Sequence, residues 1–406
     1  MQVLASWVSG SWFVGTGKRA ALLNPATEET LAETSTEGLD FGAALAFART
    51  RGGAALRSMT FSERGEILLA MSRIIHQHRD HLLDLGMANG GCTRSDAKFD
   101  VDGASGTLAY YAGLGKQLGD ARIQLDGASE PLGRSPRYVS QHAILPRRGV
   151  AVLINAFNFP AWGLGEKAAC AILAGMPVVV KPATSTAIVT HRIVELLVEA
   201  KILPEGVLSL VAGAPGDLLD HLGGEDVLSF TGGGSTAATL RSIQAVVRDS
   251  VRVNVEADSL NGAVMGLDVE PGSDTYNALL RDTSRDITQK TGQKCTAIRR
   301  IFVPRAHLDR VTDDLADRLR DVVVGNPLTD GVTMGPVATS SQRRDVLAGL
   351  ARLAEESKRV LGDGPLSPRG APEGKGFFVA PSLFSQADAR GAKVVHEHEV
   401  FGPSAS

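Results

Sequence analysis

The chain has 406 residues, 43% of them hydrophobic and 21% charged, a balance that describes a globular α/β protein with more than one core rather than a disordered, collagenous or repeat protein. Its 42 basic and 45 acidic residues leave a net charge of −3, too little positive surplus to hold a phosphate backbone or an anionic bilayer, so neither nucleic acid nor a membrane is expected as a partner.

The three cysteines, Cys92, Cys170 and Cys295, are odd in number and widely spaced, which fits a reducing cytoplasm better than a disulfide framework. The N-terminal residues carry no basic segment, and no apolar run reaches the ~18 residues that would cross a bilayer. A cytoplasmic protein is expected.

A short extended segment runs through residues 11–23. Thr60-Phe61-Ser62-Glu63 then has the form of a capping box, in which the Thr hydroxyl and the Glu carboxylate satisfy orphan amides at a helix start. Ile67, Leu68, Met71, Ile74, Ile75, Leu82 and Leu85 follow at three- and four-residue steps, an apolar stripe opposite Arg73, Gln77 and Arg79. Between Leu125 and Pro146 the chain turns to Gly, Pro, Ser and Arg, with residues 137–142 alternating like an exposed strand, so an arm or hairpin is expected. From Gly149 onward the β-branched runs 150–154, 178–180, 207–211, 227–230 and 251–255 are separated by stretches long enough for crossover helices. That is the pattern of buried parallel strands in a doubly wound, dinucleotide-type sheet. A second α/β segment starts near Leu260, with a helix over 274–290, a strand over 297–303, a helix after Pro304 and a surface loop over 361–376.

Several windows carry chemistry, each beside a plainer reading. Cys295 follows a glycine turn at the mouth of a predicted strand; it is a nucleophile or a buried structural thiol. Glu256 ends a strongly apolar strand, where open α/β sheets bind ligands, and is catalytic or merely solvated. Asn158 lies in the turn after the first strand of the run and either caps the next helix or donates to a developing oxyanion. Lys181 places an ammonium at the sheet edge, bland or cofactor-directed. Gly232, Gly233 and Gly234 would let backbone amides approach an anion at a helix start, although they follow the fourth strand of the run rather than the first.

Taken in order, NAFNFP with Asn158, KPAT with Lys181, FTGGGS from Phe230 to Ser235, NVEADSLN with Glu256, GQKCTA with Cys295 and Glu399-Val400-Phe401-Gly402-Pro403 resemble the aldehyde dehydrogenase superfamily over nearly the whole chain. The wording is most similar to the branch acting on coenzyme A-linked semialdehydes in aromatic (benzoate) degradation. The resemblance implies an NAD(P)-dependent dehydrogenase with a dinucleotide-binding domain over 1–129 and 148–259, an oligomerisation arm over 130–147 and a catalytic domain over 260–406. It implies that Cys295 adds to a CoA-linked aldehyde, that Asn158 and the Cys295 N–H hold the oxyanion, and that Glu256 activates water to release a carboxylic acid. Lys181, Thr184, Phe230, Thr231 and the three glycines would bind the dinucleotide, with Glu399 and Phe401 at the nicotinamide ribose and ring. Relatives preferring NAD commonly carry Glu where this chain has Thr184; without that charge NADP is favoured, NAD staying open. A homo-oligomer, a dimer, is expected.

Two departures stand out. The chain has three glycines before Ser235 where relatives usually have one serine after the glycine of FTG, and it ends three residues after the Glu-x-Phe-Gly-Pro motif, which reads as a C-terminally incomplete catalytic domain. Rival readings fare worse. His76, His78 and His81 do not converge on a helix and His396 with His398 lacks a third ligand, so no metal is expected. A cysteine hydrolase would not explain the dinucleotide-type sheet, and a CoA-acylating enzyme typically lacks the carboxylate that Glu256 supplies. A catalytically silent binding protein on the same fold is the alternative from outside enzymology.

Overall fold

A computed structural model describes residues 2–406. The chain forms two compact units: the first holds residues up to Ala21, Ala32–Leu82 and Phe99–Ala257, the second Leu22–Leu31, Leu83–Lys98 and Asp258–Ser406.

The first unit is built on a seven-stranded sheet. Its strands are β1 (Ser6–Val8), β2 (Ser11–Phe13), β3 (Ala151–Ile154), β4 (Val178–Lys181), β5 (Leu208–Leu210), β6 (Val227–Gly232) and β7 (Arg252–Ala257), in the order β7-β6-β3-β4-β5-β1-β2. β3 to β7 are parallel, as their β-branched runs predict, and β1 and β2 add an antiparallel edge that the sequence reading took as a single extended segment starting later. Val150, Val152, Val178, Val179 and Val180 are fully buried, each contributing about 1.5–3 kcal/mol of transfer free energy. The first parallel strand, β3, lies between β4 and β6, so the strand order reverses between β3 and β6 and opens a crevice at their carboxyl ends. The Asp226 carboxylate secures the start of this region by accepting from the N–H groups of Val150 (2.9 Å) and Gly223 (2.7 Å) and from the Arg49 guanidinium.

The capping box at Thr60 is formed in full: the hydroxyl accepts from the Glu63 N–H at 3.2 Å and the Glu63 carboxylate from the Thr60 N–H at 2.7 Å. Helix α1 (Phe61–Gln77) breaks at His78 and α2 (Arg79–Gly90) follows, so the apolar stripe belongs to two helices. Helix α3 (Arg94–Leu118) precedes the antiparallel ribbon Gln124–Pro131 with Val139–Ile144, which is the hairpin read from composition. Leu125 and Tyr138 on this ribbon are 69% and 61% exposed, so its apolar side chains find no cover within the chain. Helices α4 (Trp162–Leu173), α5 (Ala187–Glu199) and α6 (Gly234–Arg241) complete the crossovers used below.

In the second unit, β8 (Asn261–Val264) pairs in parallel with β9 (Ile298–Phe302), and β10 (Lys358–Leu361), β11 (Ser382–Ser385) and β12 (Ser404–Ala405) form a second group. Bonds from the Ile301 N–H to the Ser406 carbonyl (2.7 Å) and from the Ser406 N–H to the Arg299 carbonyl (2.9 Å) join the two groups. Helices α7 (Asp274–Thr288) and α8 (Leu308–Arg320) enclose one core around Tyr276, Leu280, Leu315 and Leu383; α9 (Ser340–Glu356) encloses another around Val346, Leu350, Phe377 and Phe384. Residues 22–31 and 83–98 join this unit. Long-range bonds hold residues 22–31 there, from the Phe377 N–H to the Pro25 carbonyl (2.9 Å) and from the Gly376 N–H to the Glu28 carboxylate (2.8 Å), which no local pattern encodes.

Candidate active site

In the first unit, the carboxyl ends of β3, β4, β6 and β7 carry Asn155, Lys181, Thr231 and Glu256. The register pairs Ile154 with both Lys181 and Phe230, and Thr231 with Glu256. A hydrogen-bonded relay crosses this edge. The Lys167 ammonium, on α4, donates to the Asn155 side-chain oxygen at 3.1 Å and to the Thr231 hydroxyl at 2.6 Å, and that hydroxyl donates to the Glu256 carboxylate at 3.2 Å. Glu166 lies beside this group with its carboxyl pushed up, first by burial and then, against the attraction of Lys167, by the charge of Glu256. Lys167 was not singled out from the sequence; the signal available was the adjacent Glu166-Lys167 pair in an otherwise apolar helix.

Asn158 is buried in the turn between β3 and α4. It does not cap α4: Ala161 occupies the cap position without a side-chain bond, and the Asp100 carboxylate on α3 accepts from the Ala161 and Trp162 N–H groups at 3.1 and 2.8 Å. The capping reading of Asn158 therefore falls, and the helix start is held from a distant part of the chain.

Lys181 is half-buried, which lowers its pKa by desolvation, and its ammonium donates to the Pro182 carbonyl at 3.0 Å; Thr184 opens the short turn that follows. Phe230 has its ring in the core, stacked under Gly232, so only its backbone lies at the sheet edge. Helix α6 starts at Gly234 after Gly233, which offers no side-chain cap and has open space where a Cβ would stand. A glycine at the cap, with open space where a Cβ would stand, leaves room for a diphosphate to approach this helix start.

In the second unit, Cys295 is partly exposed, whereas Cys92 is buried and Cys170 exposed. Its turn is reached through three left-handed residues, Lys290 (φ 50°), Thr291 (φ 55°) and Gly292 (φ 67°). Such a conformation costs a β-branched residue about 1–3 kcal/mol, and Thr291 is held in it by hydroxyl bonds to the Gly335 and Pro336 carbonyls at 2.9 and 3.2 Å. Gly292 packs against the Gly402 carbonyl so closely that a Cβ would collide with it.

The Cys295 carbonyl accepts from the Ser259 hydroxyl and from the Asn261 amide at 2.8 Å. Beyond it, the Asp286 carboxylate accepts from the Lys294 ammonium at 2.5 Å and the Ile298 N–H at 3.1 Å, bracketing the thiol. The buried Arg299 guanidinium donates to the Gly292 carbonyl and, at 2.6 Å, to the Gly402 carbonyl; burial pushes its pKa down to about 10 against the pull of Glu399 and Asp286. Glu399 accepts from the Ser259 N–H at 3.2 Å through one oxygen, while the other is buried without a hydrogen-bond partner. Desolvation pushes this carboxyl up, outweighing the nearby Arg299 charge. The orphan oxygen is an acceptor suited to a ribose hydroxyl. The Phe401 carbonyl accepts from Gln342 at 2.8 Å, and Arg299 lies 5.9 Å from the Phe401 ring centroid.

The sequence profile of the aldehyde dehydrogenase family matches residues 12–406. A 3,4-dehydroadipyl-CoA semialdehyde dehydrogenase from Aromatoleum evansii is 45% identical over 99% of this chain and 78% of its own length. The chain belongs to the aldehyde dehydrogenase family. It is an NAD(P)-dependent oxidoreductase acting on aldehydes. A betaine aldehyde dehydrogenase from Vibrio vulnificus is 30% identical over 99% of this chain and 79% of its own length. Among solved structures, a Staphylococcus aureus betaine aldehyde dehydrogenase in complex with NAD+ matches with a TM-score of 0.86 at 24% identity, covering 99% of this chain and 77% of that one. A 3,6-anhydro-L-galactose dehydrogenase crystallised with NADP gives 0.86 and 24% over 100% and 81%. At that identity the structural likeness speaks for the aldehyde dehydrogenase fold. Among the described residues no helix is long and apolar enough to cross a membrane, and no three His, Cys, Asp or Glu side chains group as a metal site requires.

Proposed function

We propose that this aldehyde dehydrogenase oxidises a CoA-linked semialdehyde, such as 3,4-dehydroadipyl-CoA semialdehyde, to the carboxylic acid, with NADP preferred over NAD. The observation that carries the substrate class is the 45% identity, sustained over 99% of the chain, to an enzyme named for that substrate. Thr184, in place of a carboxylate, leaves Lys181 free of a competing negative charge toward a 2′-phosphate, which supports NADP.

In this reading the Cys295 thiolate attacks the aldehyde carbon, and the carbonyl oxygen gathers charge that the Asn158 amide and the Cys295 N–H receive, each well-placed donor supplying about 3–4 kcal/mol. Bound NADP would supply the acceptor for the hydride leaving the carbon attached to the Cys295 sulfur. The glycine-led start of α6 would hold its diphosphate, Lys181 its adenosine ribose, and the orphan oxygen of Glu399 its nicotinamide ribose, with Phe401 beside the ring. Cys295 is then left as a thioester. Glu256 takes a proton from water as the water attacks that thioester, and the acid departs with the thiolate restored. The Thr231 hydroxyl donates to one Glu256 oxygen, leaving the other to accept from water. A carboxylate so supported favours hydrolysis over transfer of the acyl group to a thiol.

The exposed apolar ribbon around Leu125, Leu132 and Tyr138 supports assembly as a homo-oligomer, a dimer, through this arm. The test of the activity is absorbance at 340 nm on mixing the protein with NADP or NAD and a panel of aldehydes. CoA-linked semialdehydes should give the highest kcat/KM, and NADP should exceed NAD; absence of signal across the panel would favour a silent scaffold.

A further inference from the structure

Ser259 stands where two parts of the second unit meet. Its hydroxyl donates to the Cys295 carbonyl, and its own N–H donates to the Glu399 carboxylate at 3.2 Å. Asn261, two residues on, donates from one amide nitrogen to the Cys295 carbonyl (2.8 Å), the Ala297 carbonyl (3.1 Å) and the Ser259 hydroxyl (3.2 Å). Asp258, immediately before, adopts a left-handed backbone (φ 52°), turning the chain as it leaves β7.

A carbonyl gripped by two side-chain donors cannot rotate without breaking both bonds, so the peptide plane after Cys295 is fixed. That restrains the backbone of Cys295 itself, and with it the direction of the Cα–Cβ bond that carries the sulfur. Asp286 holds the Lys294 ammonium and the Ile298 N–H, on either side of Cys295 in the chain, while Ser259 and Asn261 bond the Cys295 carbonyl itself.

We infer that Ser259 is a positioning residue, which with Asn261 sets the angle at which the Cys295 thiol meets the aldehyde, and which joins that setting to the carboxylate of Glu399. The inference rests on Cys295 being the nucleophile. The two bonds of Ser259 are separable by chemistry: the link to Cys295 comes from the side chain, whereas the link to Glu399 comes from a backbone N–H that any residue but proline provides.

The experiment compares Ser259→Ala, Ser259→Thr and Asn261→Ala in the full chain. Displacing a reacting group by an ångström typically costs about 100-fold, so Ser259→Ala should lower kcat by roughly 10- to 100-fold. NADP affinity by fluorescence titration should stay within about twofold, because the Glu399 bond survives. The rate of iodoacetamide alkylation at Cys295 against pH, read by peptide mass so that Cys170 does not interfere, should change in Ser259→Ala and return toward wild type in Ser259→Thr, which keeps the hydroxyl. Asn261→Ala should share the kcat loss. Loss of overall stability alone would lower the melting temperature without altering the alkylation profile of the folded fraction, and that result would overturn the inference. So would wild-type kcat in Ser259→Ala, or a loss of NADP affinity matching the loss in kcat. If Ser259→Ala fails to fold, Asn261→Ala and Ser259→Thr decide by the same readouts. Turnover surviving in Cys295→Ala would instead defeat the nucleophile assignment, a separate failure.

Discussion

The Lys167 ammonium and the Thr231 hydroxyl lie 2.6 Å apart, and through that hydroxyl a cation on α4 is coupled to the Glu256 carboxylate at the end of β7. Replacing Lys167 by methionine keeps the aliphatic stem and removes the charge. Hydrolysis of the thioester should then slow by about 10- to 100-fold, part of what a positioned base contributes, while the first turnover stays fast. Stopped-flow absorbance at 340 nm reads the two phases, and an unchanged steady state would break the link from Lys167 to Glu256.

Glu256→Gln removes the base itself. One equivalent of NADPH should appear per active site, followed by a stall with a thioester mass on Cys295; uninterrupted turnover would remove Glu256 from its role. Cys295→Ala should abolish even that first equivalent while binding NADP as wild type does.

Glu399 links function to pH. Burial raises its pKa in the folded protein above that of the unfolded chain, so the native state binds the proton more tightly, and stability falls as pH rises from the ordinary carboxyl range through the higher folded value. Glu399→Gln abolishes this titration. Its melting temperature should gain on wild type at pH 8 relative to pH 4, with weaker NADP binding as the accompanying loss. A constant difference between the two proteins across that range would contradict the assignment.

Asp226 is a stability test remote from the chemistry. Its buried carboxylate serves Arg49 and two backbone N–H groups, so Asp226→Ala should cost about 3–5 kcal/mol by leaving two amides unmet and a half-buried guanidinium without its counter-charge. The urea midpoint measures it; a shift corresponding to less than about 1 kcal/mol would mean that water replaces the carboxylate without loss.

The ribbon gives a test of assembly. Leu132→Asp combined with Tyr138→Asp should shift the protein toward monomer in light scattering, since both side chains are exposed on the isolated chain. An unaltered mass would place the contact elsewhere.

The parallel strands were legible because buried β-branched runs need no partner to be recognised, and the α1 start because its capping box is local. The edge strands β1 and β2, three residues each, carry no such periodicity. The order of β3 and β6 was not readable either, and it matters: glycines that follow the fourth parallel strand looked misplaced for a dinucleotide, yet that strand adjoins the first at the reversal of the sheet. Lys167, Asp100, Ser259 and Arg299 escaped notice for a common reason. Each acts through partners tens to more than a hundred residues away, and a single sequence records spacing along the chain, not neighbours across it.

The approach of Gly292 to the Gly402 carbonyl brings two main-chain segments together with no side chain between them. In a saturation library this position should return almost nothing but the parent codon: even alanine would act as a wedge, prising the thiol-bearing turn from the Glu399–Phe401 segment. Efforts to broaden substrate scope by random mutagenesis would do well to spare it.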